Sequence, residues 1–495
     1  MTIFRKAARD ISVVTAAFAV MWIATLVFTV AQARYLGPAR FGELSLALSY
    51  AAFLTFVIDF GLGAQLSRTV AQRAGRHEAA LAATMAIRGG LWLLATCSVW
   101  LATLVLGYDR ELRDAIVVLA ISTGLLSVST TIAAYLQGQE EFLLPSVASV
   151  VQRFTVAGLG ITMLALGADL ALIAGAYVVG ALVNLLALVI PIRHRPWVRP
   201  RVEARGALRL FRGAVPLGSW FIAATFCSNV GMILLERLAP AENVGWYAAA
   251  FRLFGAAAIV PAIVAGVVLY PILSRLSLGS RHELRMVIEK ALTFLTLAGI
   301  AVALVFVLWA ERIVTSLYPA ETYAAAASSL RLLALGLPFL YVNAVFIFSL
   351  FALHQERRLI AIAIVAVILN PLADLALIPL FGQDAVAATI GLTEVGQLAW
   401  LVWSMPRDLL SGESLRVAMK ATIAAIVVAS LVDVTGGRPI LATVPVALAL
   451  YGVALLAVRA ISAEDLRALG ALFGRRRAPA AAAEAIALAR QEEVA

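Results

Sequence analysis

Charge is scarce in this 495-residue chain: Asp, Glu, Lys and Arg make up 14% of it, against 62% hydrophobic residues and a mean hydropathy of +0.95. A soluble domain carries about 25% charged and about 45–50% apolar residues. An ordinary soluble enzyme, a disulfide scaffold and a disordered chain are therefore excluded, and a polytopic membrane protein remains. Lysine is nearly missing. Lys6, Lys290 and Lys420 are never followed by Ser or Thr, so the chain carries no Walker A loop and no P-loop ATPase of its own. Cysteine is limited to Cys97 and Cys227, in separate apolar runs without CxxC or CxxxC spacing. That pattern argues against a disulfide or zinc site and for small buried hydrophobes. His77, His194, His282 and His354 all fall in predicted loops, with no HExxH and no GxSxG elbow, and no DxD pair exists to hold a metal and a nucleotide-sugar. The sequence predicts neither an enzyme nor a cofactor or metal.

Long apolar runs dominate what is there. A membrane helix needs about 20 such residues to cross a core of roughly 30 Å. Fourteen segments qualify, near 12–32, 44–66, 89–107, 115–136, 143–166, 170–192, 214–235, 246–272, 291–310, 324–353, 359–380, 385–405, 417–433 and 439–458. Turn or charge signals such as Gly37-Pro38, Tyr108-Asp109-Arg110 and Gly436-Gly437-Arg438-Pro439 separate them. With the N-terminus cytoplasmic, 29 of the 39 basic residues fall on that side and 7 on the other. This positive-inside bias predicts that both termini are cytoplasmic. The net charge of +10 is then topology, with no need for nucleic acid. Ala31-Gln32-Ala33 resembles a signal-peptide cleavage site, but the apolar stretch before it exceeds the usual 7–15 residues, so a retained first helix is expected.

The chain also repeats itself at an offset of about 205 residues. Leu66-Ser67-Arg68 with Arg76-His77-Glu78 is echoed by Leu273-Ser274-Arg275 with Arg281-His282-Glu283. An even number of helices per unit makes this a parallel repeat. The expected fold is all-α: two six-helix lobes, 1–192 and 214–405, and two further membrane helices within 406–460. A linker at 193–213 with seven arginines should lie on anionic lipid. In 461–495 an interfacial amphipathic helix over 461–473 precedes a low-complexity tail.

Charges inside the bilayer cost about 2.5–3.5 kcal/mol each on insertion scales, so survivors tend to line a cavity. Arg153, Arg252 and Arg331 and the acids Asp59, Asp374 and Glu394 are such survivors. Asp59 and Arg331 sit near helix ends, where snorkelling to water is an equal alternative. Arg252 follows the small residues Ala248-Ala249-Ala250, which leave room for a cavity, and a guanidinium offers phosphate a planar fork of donors. Arg34 and Arg40 flank Gly37-Pro38; a helix break there would let both approach one anion.

All of these residues except Arg153 lie in segments that resemble the polysaccharide-transporter branch of the multidrug/oligosaccharidyl-lipid/polysaccharide exporter superfamily. The resemblance is carried by ARYLGPARFGELSLALSY (33–50), IDFGLGAQLSR (58–68), GWYAAAFRLF (245–254), YPILSR (270–275), YAAAASSLRLLALGLPFLYVNAV (323–345), NPLADLALIPLFG (370–382) and AVAATIGLTEVGQ (385–397). Arg34, Leu36, Gly37 and Arg40 are similar to the Arg-x-Leu-Gly-x-x-Arg pattern of the lipid II flippase branch. The resemblance implies a flippase for undecaprenyl-pyrophosphate-linked oligosaccharide in the bacterial inner membrane, feeding O-antigen, capsule or exopolysaccharide assembly. It implies membrane lipids, a polysaccharide polymerase and chain-length machinery as partners, and pyrophosphate contacts for Arg34, Arg40 and Arg252, to which Arg153 is added as a further cation inside the membrane. Asp59, Asp374 and Glu394 become candidates for coupling to a proton or sodium gradient. Asn229 departs from relatives that carry an acid there. The alternatives are an antiporter for amphipathic cations on the same scaffold and, from another class, a membrane glycan polymerase or ligase.

Overall fold

The computed structural model describes residues 2–72, 77–193, 204–277, 279–410, 412–433 and 440–460, and the regular elements among them are all helical. In chain order they are α1 (Thr2–Asp59), α2 (Leu62–Gln72), α3 (His77–Val105), α4 (Arg110–Gly138), α5 (Leu143–Ala165), α6 (Leu170–Ile192), α7 (Ala204–Leu238) and α8 (Ala241–Ile263). There follow α9 (Tyr270–Leu276), α10 (Arg281–Leu317), α11 (Ala320–Tyr323), α12 (Ala326–Ala352), α13 (Glu356–Phe381), α14 (Gln383–Ser404), α15 (Gly412–Asp433) and α16 (Ile440–Ala457). A π-helical stretch, Val264–Leu269, joins α8 to α9 just beyond Pro261, where the ring removes a backbone donor.

Twelve helical stretches among the described residues are long and apolar enough to cross a membrane. The first, Val20–Ala71, has 52 residues, which at 1.5 Å each is far longer than one crossing. It is broken at Gly37, whose φ of 70° and ψ of 173° lie outside helical space and favour a residue without Cβ. Residues from both sides of the break, Ala24 to Gln32 and Ser45 to Thr55, line one cavity, so the halves return alongside each other as two spans. With the shorter apolar helix Ala442–Ala457, the fourteen spans read from the sequence are accounted for.

Boundaries differ where helices run past their apolar cores. Here α3 begins at His77, which brings Arg88 out of the expected loop and into a helix, and α10 begins at Arg281, so His282 lies in its first turn. The expected loop 311–323 is largely helical, because α10 reaches Leu317 and α11 follows. Within the expected linker 193–213, α7 begins at Ala204. Residues 194–203 of that linker, the amphipathic segment 461–473 and the tail beyond it lie outside the described residues.

Helices α1 to α6 pack largely on one another, as do α7 to α14, and the two groups are termed the first and second lobe. Helix α1 also packs extensively on α7 and α8, while α15 and α16 dock on α10 through Ala421, Ala424, Val428 and Tyr451 against Leu297, Ile300 and Leu304. Between lipid-immersed helices apolar surface gains little by leaving lipid, so close packing of small residues has to hold them. The lobes meet most closely where α1, past its break, crosses α8. A Cβ on Gly42 would lie 2.9 Å from the Gly245 nitrogen, and one on Gly245 would run into the Pro38 carbonyl. The same end of the bundle is sealed by Tyr323, whose hydroxyl donates to the Ala33 carbonyl at 3.1 Å, and by Arg237, whose guanidinium sits 4.4 Å above the Tyr108 ring. Gly245→Val should therefore lower the thermal midpoint of the purified protein by the cost of overpacking, about 1–3 kcal/mol. Gly255→Ala on the same helix meets open space and should leave the midpoint unchanged or slightly raised.

Candidate functional site

The space between the lobes is a cavity of about 430 Å³. Its walls are built from periodicity. Thr25, Thr29 and Gln32 recur at helical spacing on one face of α1 before the break, and Ser45 and Ser49 do so after it. From the second lobe come Asn229 and Met232 on α7 and Ala248, Phe251 and Arg252 on α8. Arg153 enters from α5 and Tyr177 from α6. The two arginines thus reach one space from opposite lobes. Neither forms an ion pair or hydrogen bond among the described residues, the Arg153 Nε is buried without a partner, and no carboxylate lines the cavity. A guanidinium in that position has donors to give and nothing to give them to, which is the arrangement an anion satisfies.

The other predicted cations are elsewhere. Arg34 and Arg40 do flank a broken helix, but they are held by different partners rather than aimed at one point. Arg34 Nε donates to the Leu317 carbonyl at 3.2 Å, and Arg40 pairs with Glu111 at 2.5 Å. Glu111 in turn accepts from the Leu170 backbone N–H, tying α1, α4 and α6 together at the Gly37 end. Arg331, near the start of α12, is half-exposed and lies 3.9 Å from Glu311.

The acids separate into two kinds. Asp59, at the end of α1, is an ion-pair partner of Arg88 on α3. The Arg88 side chain is 2% exposed, and its Nη1 also donates to the Thr131 hydroxyl at 2.6 Å, the Thr130 hydroxyl at 3.1 Å and the Ser127 carbonyl at 3.3 Å. Asp59 is therefore a counter-ion to a buried cation in the first lobe and does not join the other two acids. Those two lie in the second lobe. Glu394 on α14 lines a cavity of about 250 Å³ bounded by α7, α8, α12, α13 and α14, and accepts from Asn343 Nδ2 at 2.8 Å. Asp374 on α13 is buried against α7, where only the missing side chain of Gly231 leaves it room. Neither of its carboxylate oxygens makes a well-formed hydrogen bond; the Thr389 hydroxyl is the neighbour best placed to serve. Cys227 stands where both carboxylates act on it.

Sequence reasoning missed Arg88, counted with a loop, because α3 starts a full three turns before its apolar core. It also passed over Gln32, Ser45 and Tyr177. The polar stripe Thr25-Thr29-Gln32 was the available signal, since such a stripe in a membrane helix marks a face turned from lipid. Asn229, where an acid was noted as missing, lines the arginine cavity, with its Nδ2 donating to the Thr225 carbonyl at 2.8 Å.

A family model described as polysaccharide biosynthesis protein matches residues 7–277. Among solved structures, the lipid II flippase MurJ in an inward closed conformation matches with a TM-score of 0.73 at 14% identity, over 90% of this chain and 98% of that one. An inward-facing multidrug resistance MATE family transporter of the MOP superfamily matches with a TM-score of 0.61 at 14% identity, over 77% and 93%. A MOP superfamily transporter from Pyrococcus furiosus matches at 0.57 and 15%, over 80% and 94%. At these identities the likeness is one of fold. No curated protein matches the sequence.

The Asp59–Arg88 pair makes a stability prediction independent of transport. Asp59→Asn leaves the Arg88 cation buried without its counter-charge and should cost about 2 kcal/mol or more. Arg88→Met added to Asp59→Asn should recover part of that loss. Thermal midpoints of the two variants and the wild type, read in one detergent, check the order.

Proposed function

The chain belongs to the polysaccharide biosynthesis protein family, and on that premise we propose that it is a flippase for polyprenyl-pyrophosphate-linked oligosaccharide. The observation that carries the reading is the pair of unpartnered arginines, Arg153 and Arg252, facing one carboxylate-free cavity from opposite lobes. The physical problem such a protein solves is specific. A pyrophosphate with sugars cannot enter hydrocarbon, whereas its polyprenyl tail is at home there. A cavity that supplies guanidinium donors and opens to the side lets the head group cross while the tail stays in lipid.

In this account Arg153 and Arg252 hold the phosphates, and Arg34 and Arg40 stand on the exit route at the Gly37 end. The lobes rock about the α1–α8 contact so that the cavity faces each side in turn. The bound anion neutralises two like charges on opposite lobes, so the loaded carrier closes more readily than the empty one. Coupling to a proton or sodium gradient falls to the buried Asp374 and the half-buried Glu394, neither in an ion pair among the described residues. Asp59, already paired with Arg88, is the weakest of the three candidates. The setting is the bacterial inner membrane with both termini cytoplasmic, the product O-antigen, capsule or exopolysaccharide, and the working partners a polymerase and chain-length machinery. Lipid II flippase activity belongs to the relative of the same fold and supports a lipid-linked pyrophosphate substrate here. An antiporter for amphipathic cations would require acids in the cavity that the two arginines occupy.

Translocation of a labelled polyprenyl-pyrophosphate oligosaccharide in reconstituted vesicles tests this. Arg252→Ala and Arg153→Ala should each lower the rate at least about tenfold, the worth of a charge-assisted hydrogen bond. Arg252→Lys should keep part of it, since an ammonium retains charge but not the planar fork. Wild-type rates from a correctly inserted Arg252→Ala protein would end the phosphate-clamp reading.

A further inference from the structure

Beside the arginines, part of the cavity wall has a different chemistry, carried by Gln32, Ser45 and Tyr177. All three are uncharged; Gln32 and Ser45 are buried and Tyr177 is half-buried. Ser45 is 2% exposed with a hydroxyl that bonds to nothing. Gln32 is equally buried, and its Nε2 makes a long 3.4 Å bond to the Tyr177 hydroxyl.

Beside them the Phe28 and Tyr177 rings form an aromatic surface, with centroids 6.1 Å apart. Phe28 is seated there because Gly160 has no side chain to meet its ring. Tyr177 is fixed from its own backbone as well, since its carbonyl accepts from the Ser122 hydroxyl at 3.0 Å. It lines the same cavity as Arg153 and Arg252, so the two regions are adjacent.

Aromatic faces bordered by hydroxyl and amide groups match one ligand chemistry. A pyranose presents C–H faces that lie against rings and hydroxyl edges that exchange hydrogen bonds. We infer that Gln32, Ser45 and Tyr177, with Phe28 as platform, form a subsite for the uncharged sugar joined directly to the pyrophosphate, so that this sugar and the phosphates share one cavity. The inference rests on the flippase reading and adds to it a position for the first sugar and the residues that select it. A site that bonds a sugar hydroxyl discriminates against a ligand lacking it, because its own buried groups are then left unpaired. The absence of a carboxylate from the cavity excludes a cationic amino sugar as the preferred occupant.

The test uses the full-length protein in nanodiscs and two probes, polyprenyl pyrophosphate and the same lipid bearing a single neutral hexose. The wild type should bind the sugar-bearing lipid more tightly. Ser45→Ala, Gln32→Leu and Tyr177→Phe, the last of which keeps the ring packing, should each weaken binding of the sugar-bearing lipid by about five- to tenfold. Binding of the sugarless lipid should not change. Equal loss for both lipids, or no loss for either, overturns the subsite and leaves the phosphate clamp standing. Failure of the wild type to bind either lipid would overturn the flippase reading itself.

Discussion

Hydrocarbon does not tolerate a bare charge, and the arrangement of this protein follows from how it treats each charge placed at membrane depth. Some are neutralised locally: Arg88 is wrapped by Asp59, Ser127, Thr130 and Thr131. Arg153 and Arg252 by contrast are left unpaired on opposite walls of one space. Two like charges facing each other cost free energy unless water or an anion lies between them. The cavity keeps the two charges apart, and the proposed anionic ligand would satisfy both.

The contact about which the proposed rocking would occur is of the opposite kind. Gly42, Gly245 and Pro38 bring two backbones together with almost no side-chain volume between them. Such a contact is tight but carries few specific bonds, so one helix can pivot on another there. The π-helical stretch after Pro261 lies on the same helix as Arg252 and shifts the register of everything beyond it. The second lobe keeps its acids apart from the arginines, with Glu394 and Asp374 on helices bounding a separate cavity. A carrier that separates substrate charge from coupling charge can load the two independently and link them only through the motion of the lobes.

Much of this was legible in the sequence, for physical reasons. Fourteen apolar runs and the break at Gly37 follow from the thickness of a bilayer and from the conformational needs of one glycine. Arg252 announced itself by the alanines before it. What could not be read was pairing. Nothing in a one-dimensional string distinguishes Asp59, which meets Arg88 from another helix, from Asp374, which meets no cation. Arg34 and Arg40 looked convergent because they flank one break, and their separate partners come from α10 and α4, far away in sequence. Gln32, Ser45 and Tyr177 were passed over because uncharged polar residues in membrane helices usually bond to their own backbone, as Thr25 and Thr55 do here.

The central claim is that an anionic lipid head group, and not a cation, occupies the cavity between the lobes. Competition in reconstituted vesicles tests it most directly: the translocation of a labelled polyprenyl-pyrophosphate oligosaccharide by the wild-type protein is followed with either sugarless polyprenyl pyrophosphate or an amphipathic quaternary ammonium added in excess. The account predicts translocation that the pyrophosphate lipid suppresses and the ammonium leaves untouched. Suppression by the ammonium alone, or no translocation of the lipid-linked sugar at all, would contradict it.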